Sequence, residues 1–166
     1  MAALNWTPAK STMLSIVVTW IALTGTLVVA LLGAIIVRPG VLVTIAPNLD
    51  YSVEFPADWQ LRAPLIYLCL ATGAAALVIL LRLLYAIRRG DVFVAANVAR
   101  LRWISYCGFV IALICLGYGV VAGDVWTWII VGGIAVVAAF LALIMRVVKN
   151  VIAAACLLQE DSDYTI

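Results

Sequence analysis

Long apolar runs separated by short polar connections set the pattern of this chain. Four windows contain no charged residue: residues 11–37, 63–81, 103–123 and 125–145. A helix needs about 20 apolar residues to cross a hydrocarbon core of about 30 Å. Because backbone N–H and C=O groups in lipid must be paired within the segment, these windows should be helices. We predict one all-α integral membrane domain over residues 1–166, with four transmembrane helices at about residues 13–37, 64–87, 103–122 and 125–147.

Basic residues collect on one side of these spans. Eight of the ten precede the first span, surround the second connection or follow the fourth span, whereas the other side carries two basic residues and four acids. The positive-inside rule then predicts that both termini are cytoplasmic, an N-in/C-in topology. Arg82 alone interrupts an apolar helix. It is either a functional intramembrane charge or, six residues before Arg88, a side chain that snorkels to the interface.

The outer loop over residues 38–63 is the longest predicted segment outside the membrane. Apolar positions 49, 51, 53 and 55 alternate with polar ones, and residues 41–45 form a second β-prone run. A period of two is typical of a half-buried strand, and Ala46-Pro47-Asn48 supplies turn residues between the runs. We predict a short extracytoplasmic β-hairpin between helices 1 and 2. It is either a lid for an extracytoplasmic ligand or a cap over the helix ends.

The second connection, over residues 88–102, is short, basic and predicted to be cytoplasmic. Gly90 can end the second helix, and Asp91 can cap the next helical segment. Phe93, Asn97 and Leu101 then have the spacing of a small amphipathic helical turn. Four arginines flank it: Arg88, Arg89, Arg100 and Arg102. They are either a docking patch for an acidic partner or a topology signal that holds anionic lipid.

The tail over residues 149–166 continues the apolar pattern of the fourth helix as far as residue 158 and then becomes acidic. Its last residues include Glu160, Asp161 and Asp163, followed by Thr165 and Ile166. Three interpretations stay open. The tail folds back onto the arginines, or it is a linear motif captured through its carboxyl end, or it is a frayed terminus.

Composition narrows the function class. The chain is 67% apolar and 11% charged, against about 45–50% and 25% in soluble domains, so it is not a soluble protein. A net charge of +2 gives no basic excess for nucleic acid. Histidine is absent, no span contains an acid, and the four cysteines form no CxxC pair. We therefore expect no enzyme activity, no cofactor and no metal site. Small residues at four-residue spacing, such as Gly108 and Ala112, favour close helix contacts.

Two segments resemble a known family. The first combines Gly90-Asp91-Val92-Phe93 with Asn97-Val98-Ala99-Arg100-Leu101-Arg102, and the second is the end from Glu160 to Ile166. Both are similar to DUF2975, a bacterial four-span membrane family of unknown function. The family pattern reads Gly-Asn-Pro-Phe, then Glu-Asn-x-x-Arg-Leu-Arg, with an end like Asp-Leu-Thr-Ile. This chain departs from it at four positions: Asp91, Val92, Ala96 and Tyr164.

This resemblance implies a multi-pass protein of the bacterial inner (cytoplasmic) membrane with no reaction attached to it. Genes of the family commonly lie beside one for a small Cro/C1-type helix-turn-helix regulator, so such a regulator is the cytoplasmic partner it implies. Our first hypothesis is a non-enzymatic membrane protein that senses or binds and engages this regulator. The second is an oligomeric small transporter, channel subunit or lipid- or ligand-binding protein. The residues expected to contact partner or lipid are Arg88, Arg89, Asp91, Phe93, Asn97, Arg100, Leu101, Arg102, Glu160, Asp161, Asp163, Thr165 and Ile166.

Overall fold

Four long helices make up the fold in a computed structural model of the chain, which describes residues 8–36, 59–90 and 94–163. They are α1 (Pro8–Ile36), α2 (Trp59–Arg88), α3 (Ala95–Ala122) and α4 (Val125–Asp163). Each is long and apolar enough to cross a membrane. The prediction of an all-helical protein with four transmembrane helices is therefore confirmed. The two runs of the predicted hairpin, residues 41–45 and 49–55, lie outside the described ranges. The last residues of the predicted outer loop, from Trp59 onward, belong to α2.

The helices pack in chain order as an antiparallel row. The Trp20 indole on α1 donates to the Tyr85 hydroxyl near the end of α2. Arg62, at the start of α2, donates to the Ala122 carbonyl oxygen at the end of α3. Ser105 and Ala142 join the first part of α3 to the middle of α4. Backbone contacts within the described ranges link α1 to α2, α2 to α3 and α3 to α4, with no contact between other helix pairs.

Most large apolar side chains point away from the other helices. Ile21, Leu113 and Val136 are each about two thirds exposed, and many similar residues are more than half exposed. A soluble protein rarely exposes contiguous apolar surface of this extent. In hydrocarbon it carries no such cost, because lipid tails are as apolar as leucine. The row is therefore built for a lipid surround, with only small clusters of buried side chains between neighbouring helices.

Small residues account for the closest helix approach, which lies between α3 and α4. A Cβ atom on Gly108 would lie 2.8 Å from the Ala142 Cβ atom and 3.4 Å from the Ala138 carbonyl oxygen. Ala112, one turn further along α3, is buried in the same interface. These two positions confirm the predicted close contact. On α1, by contrast, a Cβ atom added to Gly25 would meet nothing within 4 Å.

Two glycines end helices in the left-handed region. Gly123, at φ +66°, terminates α3, and its N–H donates to the Gly119 carbonyl oxygen. Gly90, at φ +92°, follows the last residue of α2, as predicted. Only glycine adopts these angles without steric cost. The prediction for Asp91 was wrong: Val94 is the N-cap of α3 and makes no side-chain capping bond. The helix α3 begins later than a cap at Asp91 requires. Asp91 itself lies outside the described ranges.

Two helix boundaries differ from those predicted from the sequence. The structure continues α3 back to Ala95, so the second half of the predicted loop over 88–102 is the first two turns of a helix. The predicted span begins only at Trp103, because Arg100 and Arg102 interrupt the apolar run, although the residues before them have helical spacing. At the other end, α4 extends beyond the predicted span and continues to Asp163.

Candidate functional site

A cleft of about 540 Å³ opens between the end of α2 and the beginning of α3. From α2 and the residue after it, the cleft is lined by Arg82, Tyr85, Ala86 and Arg89, which recur at intervals of three and four residues and so lie on one side. From α3 and its N-cap come Val94, Ala96, Asn97 and Arg100. Three guanidinium groups therefore surround one space. We call these eight residues the basic cleft.

Hydrogen bonds fix two side chains of the basic cleft. Asn97 is 2% exposed, and its Oδ1 atom accepts a 2.7 Å hydrogen bond from Nη1 of Arg100. A buried amide of this kind restricts the rotamers of the arginine that it binds. The Tyr85 hydroxyl accepts a 3.3 Å hydrogen bond from the Trp20 indole. Arg100 is thus oriented by a residue of its own helix, α3, and Tyr85 is oriented by a residue of α1.

Helix register sets the depth of the basic cleft in the membrane. Arg62 bonds Ala122, and Cys69 contacts Cys115. Seven residues forward along α2 therefore correspond to seven residues backward along α3. Continued over twenty residues, this register makes Arg82 level with Arg102. Arg102 directly precedes the apolar window that begins at Trp103. Arg82 therefore lies at the boundary of the apolar layer rather than in its middle, and the snorkelling interpretation is the one that agrees with the register.

Aromatic residues mark the same level on α3. Trp103 is 60% exposed and meets the Tyr106 ring edge to face, with ring centroids 6.0 Å apart. Tryptophan and tyrosine concentrate where a helix passes from hydrocarbon to headgroups. Their position beside Arg102 supports an interfacial location for the inner part of the basic cleft.

The α4 helix projects past the beginning of α3 at this end. Ser105 pairs with Ala142, and Gly119 lies beside Trp128. Fourteen residues forward along α3 therefore correspond to fourteen residues backward along α4. The same register makes the first residue of α3 level with Ile152. From residue 152 to Asp163 the helix then runs on by roughly 16 Å at 1.5 Å per residue. Its last turns contain Glu160, Asp161 and Asp163.

The structure brings together only some of the predicted site residues. Arg89, Asn97 and Arg100 line the basic cleft, whereas Arg88 and Arg102 are exposed and are not among its lining residues. Leu101 is 3% exposed and belongs to the helix contacts. Asp91, Phe93, Thr165 and Ile166 lie outside the described ranges, and Glu160, Asp161 and Asp163 are placed by backbone only. Sequence reasoning missed Tyr85, although its spacing from Arg82 and Arg89 was a signal for a shared face.

A comparison with protein families shows to which family the chain is related. Residues 51–166 match the profile of a family described as "Protein of unknown function (DUF2975)". The chain belongs to the DUF2975 family. The DUF2975 match includes α2, α3, α4 and therefore every residue of the basic cleft. Neither curated proteins nor solved structures give a significant match.

A second, apolar cleft of about 240 Å³ lies deeper in this DUF2975 protein, between α2, α3 and α4. Cys69 and Cys115 face it, together with Tyr118 and several aliphatic side chains. All four cysteines are free thiols. In the part of the chain that the structure describes, no group of three or more His, Cys, Asp or Glu residues could hold a metal ion. Packing of apolar side chains accounts for these cysteines.

Proposed function

We propose that this protein is a non-enzymatic, N-in/C-in protein of the bacterial cytoplasmic membrane whose cytoplasmic end binds a soluble protein. The partner that the family resemblance implies is a small helix-turn-helix transcription regulator, for which the membrane protein acts as an anchor or sensor. One observation carries the proposal. The same end of the row combines the basic cleft, the exposed Arg88 and Arg102, and a projecting helix that ends in acids.

The charge distribution supports this orientation. Arg82, Arg88, Arg89, Arg100, Arg102, Arg146 and Lys149 lie at the proposed cytoplasmic end of the helices. Arg62 is the only basic residue of the described helices near the opposite end. Lysine and arginine close to a span are retained in the cytoplasm, so this asymmetry favours a cytoplasmic basic cleft.

Cysteine labelling in intact cells tests the orientation. Asp124→Cys and Arg88→Cys are each introduced into a chain whose native cysteines are replaced by alanine. A membrane-impermeant maleimide should label residue 124 in spheroplasts and residue 88 only after the membrane is permeabilised. The reverse pattern would overturn the N-in/C-in topology.

Co-purification tests the partner. The full chain and the regulator encoded nearest to its gene are expressed together, and the complex is isolated from detergent extract. We expect Arg100→Ala/Arg102→Ala to lose the regulator, while Arg62→Ala, at the opposite end, retains it. If binding uses these charges, raising the salt concentration should weaken it. Equal recovery with all three forms, or no recovery with the unchanged chain, would refute the proposal.

An oligomeric small transporter, channel subunit or lipid- or ligand-binding protein is the second candidate. It is favoured by the row itself, because within the described ranges α1 has backbone contacts only with α2, and α4 only with α3. Cβ atoms added to Gly132 and Gly133 on α4 would meet nothing within 4 Å, which leaves room for a second helix. Native mass spectrometry tests this candidate, since a strict monomer that carries no lipid or other ligand contradicts it.

A further inference from the structure

We propose that the basic cleft binds the phosphate group of an anionic membrane phospholipid. Arg82, Arg89 and Arg100 are the phosphate ligands, and Asn97 and Trp20 are positioning residues. This inference needs only that the helices span a membrane with the cleft at one interface. It does not depend on a protein partner, so it stands or falls separately from the proposed function.

Charge is the first reason. Among the residues that the structure describes, those that line the cleft include three arginines and no carboxylate. Guanidinium groups present a planar fork of donors that matches phosphate oxygens in pairs, and they are more weakly hydrated than ammonium groups. Three such groups around one space repel one another unless an anion lies between them. A phosphate anion satisfies both their charge and their hydrogen-bonding geometry.

The N-terminus of α3 adds to the positive electrostatic potential in the cleft. Its N-terminus reaches the cleft through Val94, Ala96 and Asn97, and Val94 makes no side-chain capping bond. A helix N-terminus carries a partial positive charge and N–H groups directed outward along the axis. It therefore attracts an anion, as the arginines do, and supplements them.

Depth and lining select a lipid rather than a soluble phosphate compound. Arg82 is level with Arg102 at the edge of the apolar layer, and Arg89 lies two helical turns further out, so the cleft spans the headgroup region. Its walls also contain Ala86, Val94 and Ala96. Acyl chains of a lipid in the bilayer can extend past Arg82 along the apolar surfaces of α2 and α3. A ligand dissolved in water would leave that apolar approach uncovered.

The supporting bonds explain how Arg100 and Tyr85 are oriented. Asn97 accepts from Arg100 through Oδ1, which leaves the other N–H groups of the guanidinium for a ligand. An indole can only donate, so the Tyr85 hydroxyl is the acceptor in its bond with Trp20. Its own O–H then points to a further acceptor, and a phosphate oxygen in the cleft provides one.

Native mass spectrometry of the full chain in detergent tests the inference. Delipidated protein is titrated with phosphatidylglycerol or with phosphatidylcholine, whose phosphate is neutralised by its own ammonium. We expect saturable binding of phosphatidylglycerol with at least about tenfold preference, and an about tenfold weaker Kd in Arg82→Gln/Arg89→Gln, since hydrogen bonds to charged groups have this strength. Arg102→Gln is the matched control, because it removes an exposed arginine at the same level without changing the cleft lining.

Three results would contradict the proposed phospholipid site. If Arg102→Gln weakens phosphatidylglycerol binding as much as the cleft variant, the attraction is diffuse and the proposed site is wrong. If both lipids bind equally, the phosphate charge is not recognised. An arm with inorganic phosphate alone separates the sources: cleft-dependent binding of free phosphate that phosphatidylglycerol does not displace would overturn the lipid assignment. Thermal unfolding of each variant shows whether it is folded, and Arg100→Gln provides a second cleft variant if the double variant is not.

Discussion

Gly108 on α3 and Ala142 on α4 approach so closely that a Cβ atom at position 108 would lie 2.8 Å from the Ala142 Cβ atom. A contact this short forces the helices apart, because neither a Cβ atom nor the nearby Ala138 carbonyl can rotate away. We predict that Gly108→Ala destabilises the protein by about 1–3 kcal/mol, the usual cost of overpacking. Unfolding of the purified protein in a denaturing detergent measures this change.

Gly117→Ala is the matched control for this substitution. It lies on the same helix, and a Cβ atom added there would meet nothing within 4 Å. Alanine should be neutral or slightly stabilising at this position, since it favours helix more than glycine does. Equal destabilisation by both substitutions would show that helix packing at Gly108 is not the cause.

Ser105 provides a second, weaker link in the same interface. Its buried hydroxyl donates a 2.9 Å hydrogen bond to the Ala142 carbonyl oxygen. Ser105→Ala should cost about 0.6 kcal/mol, and at most about 1.7, as for other interhelical hydrogen bonds in membranes. Thr72→Ala is the comparison, because the Thr72 hydroxyl bonds only the Leu68 carbonyl oxygen of its own helix. A larger loss from Thr72→Ala than from Ser105→Ala would contradict the assignment.

Asp124 makes the stability of the α3–α4 junction dependent on pH. The backbone N–H and hydroxyl of Thr127 donate to its Oδ2 atom at 3.0 and 3.1 Å, and these bonds lower the pKa of the Asp124 carboxyl. A lowered pKa in the folded state means that the stabilisation is complete above the unfolded pKa of about 4. It is lost as the pH falls through the folded value.

Melting temperatures between pH 3 and pH 7 test this dependence. Asp124→Ala should melt below the unchanged protein at pH 7, and the gap should close as the pH falls below about 4. Asp124→Asn keeps a capping oxygen and should retain most of the stability without the pH dependence. A gap that persists unchanged at low pH would exclude the carboxylate as its source.

Asn97 links stability to the proposed lipid site. Asn97→Ala removes the buried acceptor that orients Arg100. We expect both a loss of about 1.5–3 kcal/mol of stability, typical of a hydrogen bond to a charged group, and weaker phosphatidylglycerol binding. Arg100→Gln should weaken binding to the same degree, and the double variant should add little to either change. Independent, additive effects on binding would separate Asn97 from the site.

The sequence predicts the helices well but their mutual arrangement poorly. Charge-free windows locate four spans because hydrocarbon tolerates few charges, and Gly90 indicates where α2 ends. The same criterion starts the third span at Trp103, although α3 begins at Ala95. An interfacial helix keeps its hydrogen bonds while carrying arginines, so charge alone does not mark its first turn.

The basic cleft shows a further limit of the sequence. Arg89, Asn97 and Arg100 stand out in the basic second connection, but the face that carries Arg82, Tyr85 and Arg89 meets Asn97 and Arg100 only through the register of α2 against α3. That register depends on contacts far from the cleft, such as Arg62 with Ala122. No local pattern encodes it. Arg88 and Arg102 lie at the same end of the row but are not among the residues that line the cleft.

Packing in chain order has a consequence for biosynthesis. Each helix after α1 finds its neighbour already present in the membrane when it is inserted, because that neighbour is the helix made immediately before it. None of the four described helices has to wait for a partner that is distant in the sequence. Contacts between elements adjacent in sequence also favour fast folding. Assembly can therefore follow synthesis step by step, with the α2–α3 cleft completed before α4 has entered the bilayer.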